Sequence, residues 1–431
     1  MPNDINTILA DFNQQLKRDP HNPQLYSNIA NLYYKTNQID RAIYYYKRSL
    51  SITPDNWQTH SKLGNCYVKK NLIDDAMAHY KYSIELNPDN INATQNLGML
   101  FVGSKEFTEA LPYLEKSYHF NPTNKQHFEF IEQLANCYLQ VGNIAQAIDY
   151  LKIAIELNPN QESAQHNLAI LYLRQKNHAL AIQHFKKTLA INPNNQTAKH
   201  MLLSLTQNDN SNKTNLYQPP TEYVENLFDQ YASYYNQHVT KKLSYHLPEK
   251  LRSLYAKYNT AVTAKNTLDL GCGTGLCGVY FRDATINLIG VDISKNMLLE
   301  AGKNNFYDLL IQSDLKSIDI FQKNYFDLII AADVFPYLGS LDNFFFNLTN
   351  ILKHNNNPNH KSLFLFNIES KDPSNCNKNF SITSTGRCSH SVDYIQQLAK
   401  EFNLEITEKI KSPIRHQEGI PVMGDIFVLA V

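Results

Sequence analysis

From residue 23 to residue 193 the chain repeats itself with a period of 34, which leaves few folds open to it. Small residues recur at Ala42, Ala76, Ala110, Ala147 and Ala181, and prolines close the units at Pro54, Pro88, Pro122, Pro159 and Pro193. The first helix of each unit carries an apolar–small pair: Ile29-Ala30, Leu63-Gly64, Leu97-Gly98, Leu134-Ala135 and Leu168-Ala169. An aromatic follows each pair, at Tyr33, Tyr67, Phe101, Tyr138 and Tyr172. Such a unit reads as two helices. Small residues let them approach, leucines and aromatics fill the gap, and proline stops the second helix. One pair cannot bury its apolar face alone, so five in register predict a stacked solenoid. The third-to-fourth interval is three residues longer, with the excess near 125–130, which should lengthen a loop or a helix start. Residues 5–18 and 196–206 read as capping helices.

This register resembles the tetratricopeptide (TPR) repeat, whose first helices line a concave groove that holds an extended peptide. Asn28, Asn31, Asn65, Asn96, Asn136 and Asn167 fall on the first helices at two recurrent positions outside the core register. A row of amides can donate to and accept from a peptide backbone without reading its side chains. The pattern is similar to the asparagine ladder in the TPR arm of O-GlcNAc transferases, which implies a protein or peptide partner. A solvated face is the alternative, since the chain is asparagine-rich elsewhere, as at 355–359. Lys62 and Arg174 are isolated, so the basic clamp of chaperone-tail-binding TPR domains is not expected.

The second half is organised around Thr267-Leu-Asp-Leu-Gly-Cys-Gly-Thr-Gly-Leu-Cys-Gly278, where four of the chain's 14 glycines fall within 271–278. Residues 267–270 read as a buried strand and 276–281 as a helix start, joined by a tight turn. Glycine permits positive φ and close ligand approach. The helix N-terminus beyond it favours an anion. Gly273-Thr-Gly-Leu-Cys-Gly278 satisfies the dinucleotide pattern G-x-G-x-x-G, a weak signal by itself. The longer frame, with Asp269 before Gly271, Gly273 and Gly275, resembles the first motif of class I S-adenosylmethionine (SAM) methyltransferases.

After this turn, apolar runs alternate with amphipathic segments, as in a doubly wound α/β sheet. Strands are predicted at 287–292, 309–314, 326–333 and 362–367, with two more at 404–410 and 425–431, the last antiparallel at or near an edge by family analogy. Acids stand at or near the carboxyl ends of the first four strands: Asp269, Asp292, Asp314 and Asp333. Ligands bind such sheets outside those ends, where strand order reverses. The family resemblance implies that Asp292 accepts both ribose hydroxyls and that Asp314, with Ser313, accepts from the adenine amine. Ile293 and Leu315 would sandwich the ring. The amides of Gly271, Cys272, Gly273 and Gly275 would meet the methionine carboxylate. Asp269 would orient the loop or take the ammonium.

Between the halves, residues 208–215 read as a flexible connector, and Thr221 as the N-cap of a helix after Pro219-Pro220. The aromatic run that follows contains Tyr223, Phe228, Tyr231, Tyr234 and Tyr235 and ends on His238. It resembles the segment Y-V-x-x-L-F-D-x-Y-A-x-x-Y-x-x-H of bacterial TPR-containing methyltransferases. There it covers the cofactor, which implies that Tyr231, Tyr235 and His238 line the pocket. An amphipathic helix packed on the sheet edge is the plainer alternative. Asp333 and Tyr337 follow the fourth strand, where class I enzymes present their acceptor. The Asn/Asp-Pro-Pro-Tyr box of methyltransferases acting on planar amide or amine nitrogens is missing there, which argues against nucleobase or glutamine acceptors. Residues 386–394 read as a helix opening, with Arg387 a candidate anion ligand and His390 a candidate base; a cap or clasp is the alternative. The strings 386–394 and 414–424 resemble the same methyltransferase group.

Equal numbers of acidic and basic residues, 40 each, give no electrostatic footprint for nucleic acid. No apolar run has transmembrane length, the start does not read as a signal peptide, and the cysteines lack metal-ligand spacing. A cytoplasmic protein without a metal is expected. The expected fold is thus an α-solenoid over 1–207, a linker at 208–220, and a seven-stranded, Rossmann-like methyltransferase domain over 221–431 with a helical lid at 221–258. The expected activity is SAM-dependent methyl transfer to an acceptor, a protein by preference, recruited or scaffolded by the array. The alternatives are a small-metabolite methyltransferase and a non-catalytic TPR adaptor.

Overall fold

The computed structural model describes residues 5–120, 128–206, 217–232, 235–241, 243–258, 264–354, 361–370, 379–417 and 419–431. The connector at 208–215, Pro122, the first residues of the 125–130 insertion, Tyr234 and the asparagine run at 355–359 lie outside these. The chain divides into two compact units, Met1–Ile191 and Asn192–Val431.

In the first unit, α1 (Ile5–Arg18) precedes five helix pairs. They are α2 (Pro23–Lys35) with α3 (Ile39–Ile52), α4 (Trp57–Lys69) with α5 (Ile73–Leu86), and α6 (Ile91–Gly103) with α7 (Phe107–Phe120). The last two pairs are α8 (Phe128–Gln140) with α9 (Ile144–Leu157) and α10 (Glu162–Arg174) with α11 (His178–Ile191). The recurrent alanines are fully buried. A Cβ on Gly64 would stand 2.7 Å from the Tyr80 ring, and one on Gly98 2.7 Å from Leu114, so the small residue sets the approach of the second helix.

Each pair is also joined by a ring stack. The aromatics Tyr33, Tyr67, Phe101, Tyr138 and Tyr172 lie against Tyr45, His79, Tyr113, Tyr150 and His184, with centroids 5.4, 5.4, 5.7, 5.4 and 5.5 Å apart. In two repeats the second ring is therefore an imidazole. A carbonyl can only accept, so the 2.8 Å contact to the Pro54 oxygen puts the His60 proton on Nε2. His60 Nδ1 then accepts from His79 Nδ1–H at 2.9 Å. Burial, with His60 adding to it, pushes His79 down to about 4, and burial takes His184 to about 4 as well.

The second unit opens with α12 (Gln196–Thr206), the helix expected to cap the array. Its His200 bonds the Gly386 carbonyl at 2.9 Å and the Tyr217 hydroxyl at 2.6 Å. Then come α13 (Thr221–Tyr231), α14 (Tyr235–Lys241) and α15 (Leu247–Tyr258). The alternating part runs β1 (Ala264–Leu270), α16 (Leu276–Phe281), β2 (Thr285–Asp292), α17 (Lys295–Gly302), β3 (Leu309–Gln312), β4 (Leu328–Ala331), α18 (Asp342–Ile351) and β5 (Leu363–Glu369). It closes with β6 (Phe380–Ile382), β7 (Cys388–His390), α19 (Val392–Glu401), β8 (Glu405–Gln417) and β9 (Ile420–Ala430).

The seven-stranded sheet has the order β3-β2-β1-β4-β5-β9-β8, and β6 with β7 forms a separate hairpin. Pairing is parallel from β3 through β5 and antiparallel at β5–β9 and β9–β8. The last strand lies one in from the edge, with β8 outside it. Strand period two sorts the core into two layers. Ile329, Phe364, Phe366 and Phe427 pack on one face with Phe335 and Phe345, and Leu328, Ile330, Leu365 and Val428 on the other with α15 and α16. The helix expected from 386 opens only at Val392, capped by Ser391, whose side chain accepts from Tyr394 N. The residues before it pair as β7, a strand too short and too polar to show alternation. Among the described residues no helix is long and apolar enough to cross a membrane.

A histidine whose folded pKa lies below its unfolded value of about 6.5 binds fewer protons in the folded state. Its contribution to stability is full above that value and is lost as the pH falls toward 4. Hydrogen exchange in α4–α5 and α10–α11, corrected for its intrinsic pH dependence, should therefore accelerate between pH 7 and pH 5. Replacing both imidazoles by the ring found in the other repeats, as His79→Tyr and His184→Tyr, should flatten that change.

Candidate functional site

β1 pairs with β2 on one side and β4 on the other, so the strand order reverses at its carboxyl end. The glycine turn fills that point. Gly271, Gly273 and Gly275 have φ of 64°, 55° and 89°, the left-handed region that favours glycine. At Gly271 space is limiting as well, since a Cβ would stand 2.7 Å from Val334 Cγ2. At Gly273 a Cβ would meet no atom within 4 Å.

Beside the turn lies a cleft with about 690 Å³ of atom-free space, part of it open to solvent. Gly271, Gly273, Asp292 and Ile293 form its floor, and Asp314, Leu315 and Lys316 line it beyond β3. Asp333, Val334, Tyr337 and Leu338 close the β4 side, and Pro219, Thr221, Val224, Phe228 and Tyr235 come from the lid.

Asp292 is buried, and both its oxygens take backbone donors: Gly273 N at 2.9 Å on Oδ2 and Ser294 N at 2.8 Å on Oδ1. Burial raises it to about 6, while those amides pull the other way. Asp314 begins a 3-10 turn, accepting from Lys316 N at 2.9 Å and from the Thr221 hydroxyl at 2.7 Å. Thr221 is thus the first residue of α13 and reaches across to Asp314, while Pro220 holds the cap position expected for Thr221. Asp229 of α13 accepts from Ser294 Oγ at 2.5 Å and Asn296 N at 3.2 Å, which ties the lid to the start of α17.

Asp269 is buried behind the turn. Its Oδ2 accepts from the Tyr307 hydroxyl at 2.6 Å, and its Oδ1 has no partner among the described residues. Burial raises it to about 7 against the Tyr307 bond, and the charge of Asp292 adds to the rise.

At the β4 end two carboxylates and two guanidiniums form a closed square. Asp333 Oδ1 accepts from Arg387 at 2.9 Å and Arg415 at 3.4 Å, and Glu369 Oε2 from Arg387 at 3.1 Å and Arg415 at 2.8 Å. Arg387 also donates to the Tyr337 hydroxyl at 2.5 Å. Burial works against the Glu369 charge, but the two arginines outweigh it and hold the carboxyl below its usual range. Asp333 has φ 57°, unusual for a residue with a Cβ, and its amide donates to the Asn367 side chain at 2.7 Å.

The structure thus brings together Gly271, Gly273, Asp292, Ile293, Asp314, Tyr235, Asp333 and Tyr337 on one cleft. Other expected residues stand behind it. Cys272 N donates to Val291 O and Gly275 N to Cys272 O, both at 2.9 Å, so these two shape the turn from within. Ser313 N bonds the Asp292 carbonyl at 3.0 Å. Tyr231 supports Tyr235 edge-on at 5.0 Å, and its hydroxyl pairs with His238 Nδ1.

His390 is corrected outright. It is fully buried on β7, with Nε2 on the Gly339 carbonyl at 2.8 Å, a structural clasp rather than a base in the cleft. Arg387 takes the clasp alternative rather than the anion-ligand one: its Nε, Nη1 and Nη2 each donate within the protein, to Glu369, Tyr337 and Asp333.

Sequence reasoning missed Tyr307, Asp229, Glu369 and Arg415. Asp229 and Arg415 stand inside the strings that carried the resemblance, whereas Tyr307 and Glu369 carry no local signal.

In the first unit several amides of the asparagine row are engaged. Tyr46 donates to Asn31 at 2.7 Å and Tyr80 to Asn65 at 2.5 Å; Asn96 donates to Asn65 at 3.0 Å. Asn28 accepts from Gln24 and Asn136 from Gln140, while Asn167 is exposed.

Residues 268–356 match the family model of a methyltransferase domain, type 11, and residues 30–71, 58–90 and 129–194 match tetratricopeptide models. The comparison with curated proteins finds no match. Among solved structures, YrrB, "a TPR protein with an unusual peptide-binding site", is 23% identical over 44% of this chain and 96% of its own, with a TM-score of 0.41. A MamA fragment from Desulfovibrio magneticus RS-1 is 19% identical over 40% of this chain and 96% of its own, with a TM-score of 0.36. The chain is a TPR-repeat protein with a C-terminal class I methyltransferase domain of Rossmann-like fold.

Removing one member of the buried charge square leaves its partners uncompensated. Arg415→Met should cost about 3–5 kcal/mol in chemical denaturation of the second unit. A cost below about 1 kcal/mol would mean that solvent already screens the square.

Proposed function

We propose that the protein transfers a methyl group from SAM to a protein acceptor presented at the Asp333–Tyr337 end of the cleft. The carrying observation is the convergence of Gly271, Gly273, Asp292, Asp314, Asp333 and Tyr337 on one cleft at the strand-order reversal. The residues fit the donor. Among the described residues, Gly273 leaves open space where a side chain would stand, and a buried Asp269 oxygen lacks a partner.

SAM supplies an electrophilic methyl group on a sulfonium. The protein's part is mainly orientation and exclusion of water. Asp292 accepts the ribose hydroxyls on the lone pairs that its two amides leave over. Asp314 and the apolar Ile293 and Leu315 hold the adenine. Gly273 and Gly275 spend their amides inside the protein, as does Cys272, so the amino-acid carboxylate relies on Gly271, which lines the cleft. Tyr235 and Phe228 cover the cleft from the lid. The arginine square fixes Asp333 and Tyr337 as a rigid wall on the acceptor side. Burial raises the Tyr337 phenol, so it remains a hydrogen-bond donor.

The TPR array supports a protein partner. In this reading Asn167 and the remaining amide hydrogens of Asn28, Asn31, Asn65, Asn96 and Asn136 meet its backbone.

Incubating the full chain with tritium-methyl SAM and a cell lysate tests the proposal. Label should enter the protein fraction and fall roughly ten- to hundredfold with Asp292→Ala, the worth of hydrogen bonds to a charged group. Label confined to small molecules would contradict the protein acceptor. Equal labelling by the variant would contradict the ribose assignment.

A further inference from the structure

Tyr307 stands just before β3, and three glycines make room for its ring. A Cβ on Gly275, Gly278 or Gly290 would lie 3.2, 2.9 or 2.9 Å from that ring. The phenol reached through this notch has two partners. It donates to Asp269 Oδ2 at 2.6 Å and accepts from Gly278 N at 3.1 Å, within the first turn of α16. One buried hydroxyl therefore joins the end of β1 to the helix that follows the glycine turn.

We infer that Tyr307 is a positioning residue for methyl-donor binding, keeping Asp269 charged and the turn closed around the cationic amino-acid end of the donor. The inference rests on the SAM reading above. A carboxylate that is almost fully buried favours protonation unless donors reach it, and among the described residues the phenol is the single side-chain donor on Asp269. The other titratable groups around Asp269 do not help to keep it charged: Asp292 from β2, Cys272 from the turn, Cys277 from α16 and Tyr245 from the segment before α15. Asp269 stands at about 7 with the phenol in place, so losing the bond moves its titration above neutrality. The ring itself packs equally well without its oxygen. Tyr307→Phe should consequently change protonation while sparing the fold.

The test is calorimetric binding of SAM by the full chain at pH 7 and pH 9, wild type against Tyr307→Phe. Taking the ratio at each pH cancels the titration of the ligand. The variant should bind roughly tenfold more weakly at pH 7 and within about twofold at pH 9. In an Asp269→Asn background the same change should have an effect that no longer varies with pH. A Tyr307→Phe ratio that is the same at both pH values, whether near one or uniformly reduced, overturns the positioning role and leaves the SAM reading intact. Absence of SAM binding by the wild type overturns both.

Discussion

A carboxylate taken out of water must be given donors, and the catalytic-type domain of this chain is arranged around that demand at Asp292. Its two oxygens draw on the amides of Gly273 and Ser294, in the loops that follow β1 and β2. The bond to Gly273 fixes the turn after β1, and the bond to Ser294 fixes the start of α17. Ser294 in turn holds Asp229 of the lid. One acid thus sets the relative positions of the turn, a helix and the cover above the cleft. It acts with the Cys272–Val291 and Gly275–Cys272 backbone bonds, which shape the same turn from within.

The opposite wall obeys the same electrostatic rule with different means. Asp333 sits in a left-handed conformation just beyond β4 and is held there by Arg387, Arg415 and the Asn367 side chain. Glu369 completes the square and neutralises it. The wall is therefore rigid and balanced in charge, suited to placing an acceptor rather than to moving a proton. The floor and the turn behind it are different: Asp292 and, behind the turn, Asp269 are raised toward neutrality by burial and have lone pairs to offer a cationic ligand. On the proposed reading, a cation-seeking floor and a neutral wall suit in-line transfer from a sulfonium.

Much of this was legible in the residues. The 34-residue register placed every helix pair, and the acids at strand ends located the cleft, because both are periodic or local signals. What escaped depends on distance in the chain. Tyr307 meets Asp269 across 38 positions and Arg415 meets Glu369 across 46, and no spacing rule connects them. The ring stacks escaped for a subtler reason: the second ring is tyrosine in three repeats and histidine in two, so it reads as variable. His390 misled because residues 386–394 read as a helix opening, whereas it is a buried strand residue on a backbone carbonyl, the clasp that stood as the alternative. The helix Gln196–Thr206, which reads as a cap of the array, falls in the second unit, where its His200 bonds the Gly386 carbonyl.

The most direct measurement is a crystal structure of the full chain with S-adenosylhomocysteine, the product that the proposed reaction leaves behind. The account requires the ribose on Asp292, the adenine between Ile293 and Leu315 beside Asp314, and the amino-acid end at the glycine turn. A ligand bound elsewhere, or a cleft that stays empty at saturating concentration while the fold is intact, would contradict it.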